Sequence, residues 1–144
     1  MKRIILIIAI VGIGGLLLIQ LVPYGRDHNN PPVIGEPNWD SVQTRELAQR
    51  ACFDCHSNET VWPWYSNIAP ISWLVQRDTD EGRQVLNFST WGSGGEGREA
   101  HEAVEVVDQG RMPLPMYLTM HKDARLTAEE KQALSAGLRA SISR

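Results

Sequence analysis

The sequence predicts an all-α protein, a small helical domain behind a single N-terminal transmembrane helix. Residues Ile4 to Val22 form a nineteen-residue run without charge. Beyond it, apolar residues recur at helical spacing, most clearly at Ala100, Ala103, Val104 and Val107. Nowhere do apolar and polar residues alternate convincingly with the period of two that a half-buried strand requires.

The apolar run, IILIIAIVGIGGLLLIQLV, holds a single amide, Gln20. At 1.5 Å rise per residue it reaches about 28 Å as a helix, close to the ~30 Å of a hydrocarbon core. A secretory signal has a shorter apolar region followed by a small-x-small cleavage site, whereas this run leaves through QLVPYGR. An uncleaved anchor over residues 1–22 is therefore expected. A core helix of a soluble domain would show a polar face, and this run has none. Lys2 and Arg3 keep the N-terminus in the cytoplasm and send the remainder outside. The chain has 14 basic and 17 acidic residues; setting Lys2 and Arg3 aside leaves 12 against 17, a net −5 on the exported part. That balance gives no basic surface for nucleic acid.

Residues 23–37 carry four prolines and few apolar side chains, which predicts an extended tether. The helical domain is expected over 38–144. Asp40 with Gln43 forms a plausible capping box for the first helix, and Val42, Leu47 and Ala51 share its apolar face. An aromatic connector, VWPWYSN, follows at Val61–Asn67. Pro70 suits the first turn of the second helix, with Ile71, Leu74 and Val75 on its apolar side and Gly82 weakening or ending it. Ser89–Gly97, STWGSGGEG, is a loop without the Gly-Lys-Ser/Thr ending of a phosphate cradle. Gly110 stops the third helix. Arg111–Leu126 is loop, broken by Pro113 and Pro115. Thr127 with Glu130 caps the last helix, whose buried stripe is Ala133, Leu134 and Leu138.

The only two cysteines lie in ACFDCHSNET, as Cys52 and Cys55, with His56 directly after. Disulfide exchange uses this cysteine spacing, but on a fold with alternating strands and helices. Structural zinc needs about four ligands, and only three are close. A plain disulfide would close a small loop and constrain little chain entropy. Covalent haem attachment uses the whole pattern: the two thiols add to the porphyrin vinyl groups as thioethers, and the histidine is held beneath the ring with a nitrogen on the iron. In bacteria this attachment takes place outside the cytoplasm, in keeping with the inferred export. One covalently bound haem c is therefore the expected cofactor. The second axial position can be filled by Met112, Met116, Met120, His121, His101 or His28, or left open. Met112 is preferred, because it sits in an irregular loop ahead of Pro113, which biases it toward extended geometry. Met116 and Met120 suit core packing, His101 a helix surface, and His28 a solvated tether. Trp62, Trp64, Tyr65 and Trp73 are candidates for the wall of the haem pocket, or ordinary core. Asn58, Glu59, Ser66 and Asn67 either bond haem propionates or cap turns.

The strings CFDCHSNETVWPWYSNIAPISWLVQRD, EGRQVLNFSTW and GRMPLPMYLTMHKDARLTAEEKQAL resemble the bacterial haem-binding domain family of small membrane-anchored monohaem c-type cytochromes. The resemblance covers nearly all of Asn30–Leu138. It implies that Cys52 and Cys55 carry the thioethers, that His56 is the proximal iron ligand, and that Met112, in the Met112-Pro113 pair, is the distal one. The order of helix, haem motif, methionine loop and final helix also resembles class I cytochromes c, which implies a cytochrome c-like helical domain around one covalently bound haem.

These readings converge on a single-pass protein of a bacterial cytoplasmic membrane, with its C-terminal domain in the periplasm or outside. It is expected to carry single electrons between redox partner proteins in or near the membrane, as a carrier more than a catalyst. The alternative is a haem-based sensor or peroxidase-like enzyme with a displaceable distal ligand.

Overall fold

The computed structural model describes residues 1–92 and 96–142. Its helices are α1 (Lys2–Ile19), α2 (Val42–Ala51), α3 (Phe53–His56), α4 (Ile71–Val85), α5 (Glu96–Asp108), α6 (Tyr117–Met120) and α7 (Ala128–Ile142), with 3₁₀ turns at Trp64–Asn67 and Lys122–Ala124. Among the described residues there is no β-strand; extended pairing is limited to an isolated bridge between Gly35 and Thr90. The chain divides into two compact units, Met1–Asn29 with Trp62–Asp78, and Asn30–Val61 with Thr79–Arg144. The expected Ser89–Gly97 loop falls partly on residues 93–95, outside the described residues.

In the first unit, α1 buries none of its side chains against protein. It is long and apolar enough to cross a membrane by length and composition. The chain after it packs on the Trp64–Asn67 turn and the start of α4. His28, expected in solvent, is instead half-buried: its ring stacks on Trp62 at 4.8 Å, and Nε2 lies 2.9 Å from the Ser66 hydroxyl. Stacking removes apolar ring area from water while Ser66 partners the nitrogen, so the position is favourable despite the polar sequence around it. Helix α4 opens directly behind Pro70, as expected, but runs on through Gly82 to Val85.

In the second unit, the cap of α2 is Ser41, whose hydroxyl accepts from the Thr44 backbone N–H at 3.1 Å. The expected Asp40–Gln43 box does not form, because the Asp40 backbone N–H donates to the Ser141 hydroxyl of α7. Leu47 and Ala51 are buried as expected, whereas Val42 is 75% exposed. Helix α5 ends in a complete Schellman motif: Gly110, at φ +67°, donates to Val107, and Arg111 donates to Val106. The positive φ is why glycine serves there. The box at α7 forms reciprocally, with Glu130 N–H donating to the Thr127 hydroxyl at 3.1 Å and Thr127 N–H to the Glu130 carboxylate at 2.9 Å. Arg111–Leu126, expected as plain loop, contains α6 and a 3₁₀ turn.

Helices α2 and α5 pack against α7. The core joins Leu47, Ala48, Phe53, Leu86, Phe88, Val104, Val107, Leu134 and Leu138. Phe53 stacks on Phe88 at 5.6 Å between centroids, and Trp39 packs against both rings, 5.4 Å from Phe88 and 6.3 Å from Phe53.

Candidate functional site

The Cys-x-x-Cys-His segment is one short helical turn. Helix α2 ends when Cys52 leaves helical geometry at φ −127°, and the Cys52 carbonyl then accepts from the N–H groups of both Cys55 and His56. This turn gathers Cys52, Cys55 and His56, all half-buried. Phe53, between the cysteines, is only 2% exposed and drives the turn into the core. Burying a phenylalanine contributes about 2–3 kcal/mol, so the motif is anchored by its intervening residue.

Asp54, the other intervening residue, is a polar strut. Its carboxylate accepts from the Val61 N–H at 2.9 Å and from the Tyr117 hydroxyl at 2.7 Å, while its carbonyl accepts from the Thr60 hydroxyl. His121 stacks on Tyr117 at 4.0 Å and places Nδ1 3.7 Å from the same carboxylate. The motif is thereby tied to α6, in the segment that holds Met112.

His56 is oriented by the C-terminal end of α4. Its Nδ1 lies 3.1 Å from the Leu86 carbonyl oxygen, and its own carbonyl accepts from Phe88 N–H at 2.8 Å. A carbonyl only accepts, so Nδ1 bears the proton and the Nε2 lone pair remains available to a metal. Burial lowers the His56 pKa, against the hydrogen bonds to the backbone of Leu86 and Gly82, which raise it. The ring is therefore neutral at physiological pH, the form that coordinates iron.

Burial, and secondarily Cys55, push the Cys52 thiol up to about 12. Cys52 and Cys55 are not joined in a disulfide. A thiol held protonated is a poor nucleophile for disulfide exchange, which needs a lowered pKa. Among the described residues no three His, Cys, Asp or Glu side chains are grouped to hold a metal ion, as a structural zinc site requires. Two thiols and a neutral, pre-oriented imidazole within five residues are a donor set that fits a haem.

Gly82 packs against this turn. A Cβ there would lie 2.5 Å from the Cys55 carbonyl oxygen and 3.0 Å from the Cys55 Cβ. Its role is close approach of α4 to the motif, which is why the helix continues through it. Arg83, the next residue, donates to the Ser57 carbonyl at 2.8 Å and to the Thr60 hydroxyl at 2.9 Å, holding the segment just after His56.

Met112 is half-buried, directly behind the Schellman turn of α5. Met116 and Met120, expected as core, are 66% and 59% exposed, because α6 turns them outward. His101 is exposed on α5. The four pocket candidates belong to the first unit, whereas Cys52, Cys55, His56 and Met112 belong to the second. Trp62, Tyr65 and Trp73 are half-buried and Trp64 is 71% exposed. The buried Trp73 indole N–H has no partner among the described residues.

Of the proposed propionate donors, Asn58 is committed to structure, donating to the Pro32 carbonyl and accepting from Asn87. Glu59 lies 3.8 Å from Arg45, Ser66 is buried against His28, and Asn67 bonds the Trp64 carbonyl. Phe53, Asp54 and Gly82 escape sequence reasoning. An aromatic between two cysteines is a weak signal for the first, and the other two act through partners distant in sequence.

The chain matches the haem-binding domain family over residues 14–140. No curated protein and no solved structure matches it.

Proposed function

The chain belongs to the haem-binding domain family, and from that premise we propose that it is a membrane-anchored monohaem c-type cytochrome, carrying single electrons on the outer face of a bacterial cytoplasmic membrane. The observation that carries the covalent assignment is the turn holding Cys52, Cys55 and His56, with the imidazole Nδ1 bonded to Leu86. The thiols supply the two thioether positions, and the fixed tautomer presents Nε2 as proximal ligand. When bound, the haem supplies a one-electron iron couple. Met112 is the distal ligand in this reading. If Met112 and His56 both hold the iron, the thioether would raise the reduction potential relative to two imidazoles, which favours carriage over catalysis. His121 is occupied by Tyr117 and Asp54, which supports Met112 over it.

Helix α1 serves as the anchor, and Lys2 and Arg3 set its orientation. The exported part, net −5 by residue count, suits docking to a basic patch on a redox partner in or near the membrane, at rates that fall with added salt.

The test is spectroscopy of the full-length protein matured in a bacterium able to attach haem c. Expected are pigment that resists acidified acetone and low-spin spectra in both oxidation states, with a methionine–iron charge-transfer band when oxidised. Pigment lost to acetone would overturn covalent attachment. High-spin spectra with rapid carbon monoxide binding would overturn the carrier role in favour of a sensor or peroxidase-like enzyme.

A further inference from the structure

We propose that the apolar face formed by Tyr24, Trp64, Ile68 and Ile71 is a lipid-contacting surface. It seats in the headgroup and outer acyl region of the membrane that α1 crosses. The proposal rests on reading α1 as membrane-spanning and adds a second contact, chiefly from Trp64–Ile71, more than forty residues further along the chain.

Gln20, the single polar side chain of the apolar run, sets the level of this face. Its Nε2 donates to the Leu16 carbonyl at 3.0 Å and to the Ala69 carbonyl at 2.8 Å. Its Oε1 accepts from the Ala69 N–H and from Arg26, each at 3.0 Å. The amide thus pairs with both backbone polar groups of Ala69, which is 1% exposed. The eighteen residues of α1 rise about 27 Å, so Gln20 stands where hydrocarbon gives way to headgroups. Ala69, bonded to it, stands at the same depth.

The segment around Ala69 is held in place. Gly25 packs so closely on the start of α4 that a Cβ there would overlap the Ser72 carbonyl oxygen. Buried Ser66 bonds the Pro63 carbonyl and His28. On this frame Trp64 is 71% exposed, Ile71 and Tyr24 47%, and Ile68 44%, with the Trp64 indole set edge-on to Tyr65 at 5.8 Å. From Trp62 to Gln76 there is no charged residue. Such a face costs free energy against water, but tryptophan and tyrosine flanking an apolar helix end are what a membrane–water boundary favours.

The experiment places full-length holoprotein in phosphatidylcholine nanodiscs containing a phospholipid with a diazirine high on its acyl chain. Irradiation is followed by mapping of lipid adducts by mass spectrometry. Val42 and Val61, each 75% exposed and in the other unit, are internal references. Adducts are expected on α1 and, several-fold above the references, on Trp64–Ile71. Gln20→Ala should lower adducts on Trp64–Ile71 several-fold while α1 stays labelled. Labelled α1 with Trp64–Ile71 no richer than the references would overturn the proposal and leave the face to a protein partner. An unlabelled α1 would overturn the anchor reading, and the proposal with it.

Discussion

The carbonyl oxygen of Cys55 lies so close to the α-carbon of Gly82 that an added Cβ would stand 2.5 Å from it. Gly82→Ala must push the haem-motif turn away from α4, a shift costing about 1–3 kcal/mol. The same movement pulls His56 off Leu86. Intact mass of the matured variant should show a smaller fraction with haem attached, and denaturant unfolding a lower midpoint. Wild-type values in both would show that the close approach is dispensable.

Asp54 and Tyr117 should act as a pair. Each of Asp54→Ala and Tyr117→Phe removes a part-buried hydrogen bond, expected to cost about 1–2 kcal/mol, with the larger loss at Asp54 because Val61 also depends on it. In a double-mutant cycle the coupling should be about 1 kcal/mol. Strict additivity in urea unfolding would mean that the two do not support each other.

The proposed iron ligand can be isolated among neighbouring methionines. Met112→Ala should convert the oxidised spectrum to high-spin, abolish the methionine charge-transfer band and lower the reduction potential. Met116→Ala and Met120→Ala, at exposed positions, should change none of these. An unaltered spectrum for Met112→Ala would reject Met112 as the distal ligand.

Glu36 introduces a pH dependence. Its carboxylate accepts two hydrogen bonds from Arg45, each 2.7 Å, and one from the Trp39 indole at 2.8 Å. The Arg45 hydrogen bonds, aided by Trp39 and the Arg45 charge against the opposing effect of burial, hold its pKa below the ordinary value. A carboxyl that ionises more readily folded than unfolded stabilises the fold fully above its unfolded pKa, about 4.3, and loses that contribution as pH falls through the folded value. Glu36→Gln should therefore cost about 1–2 kcal/mol at pH 7. Unfolding curves of the two proteins should converge as pH drops below about 4; a gap independent of pH would place the loss elsewhere.

Local signals in the chain were legible. The Thr127–Glu130 box needs only two residues at a set spacing, and Gly110 needs only its own backbone freedom; both act as expected. Asp40 misled because a residue from the far end of the chain, Ser141, takes its N–H and leaves Ser41 to cap the helix. Gly82 misled for the same kind of reason: its helix weakness is outweighed by a neighbour 27 positions earlier.

By itself the sequence determined an apolar helix of membrane length, an all-helical domain and two thiols and an imidazole within five residues. Each of these depends on spacing along one short stretch, which covalent geometry and helical period preserve in any fold. The tertiary structure decided what surrounds the donors. It chose the tautomer of His56 through Leu86, committed Asp54 to Tyr117, set Gly82 under Cys55, and paired Gln20 with the backbone of Ala69. Those relationships join residues tens of positions apart, and only the packing of helices brings them within a few ångströms.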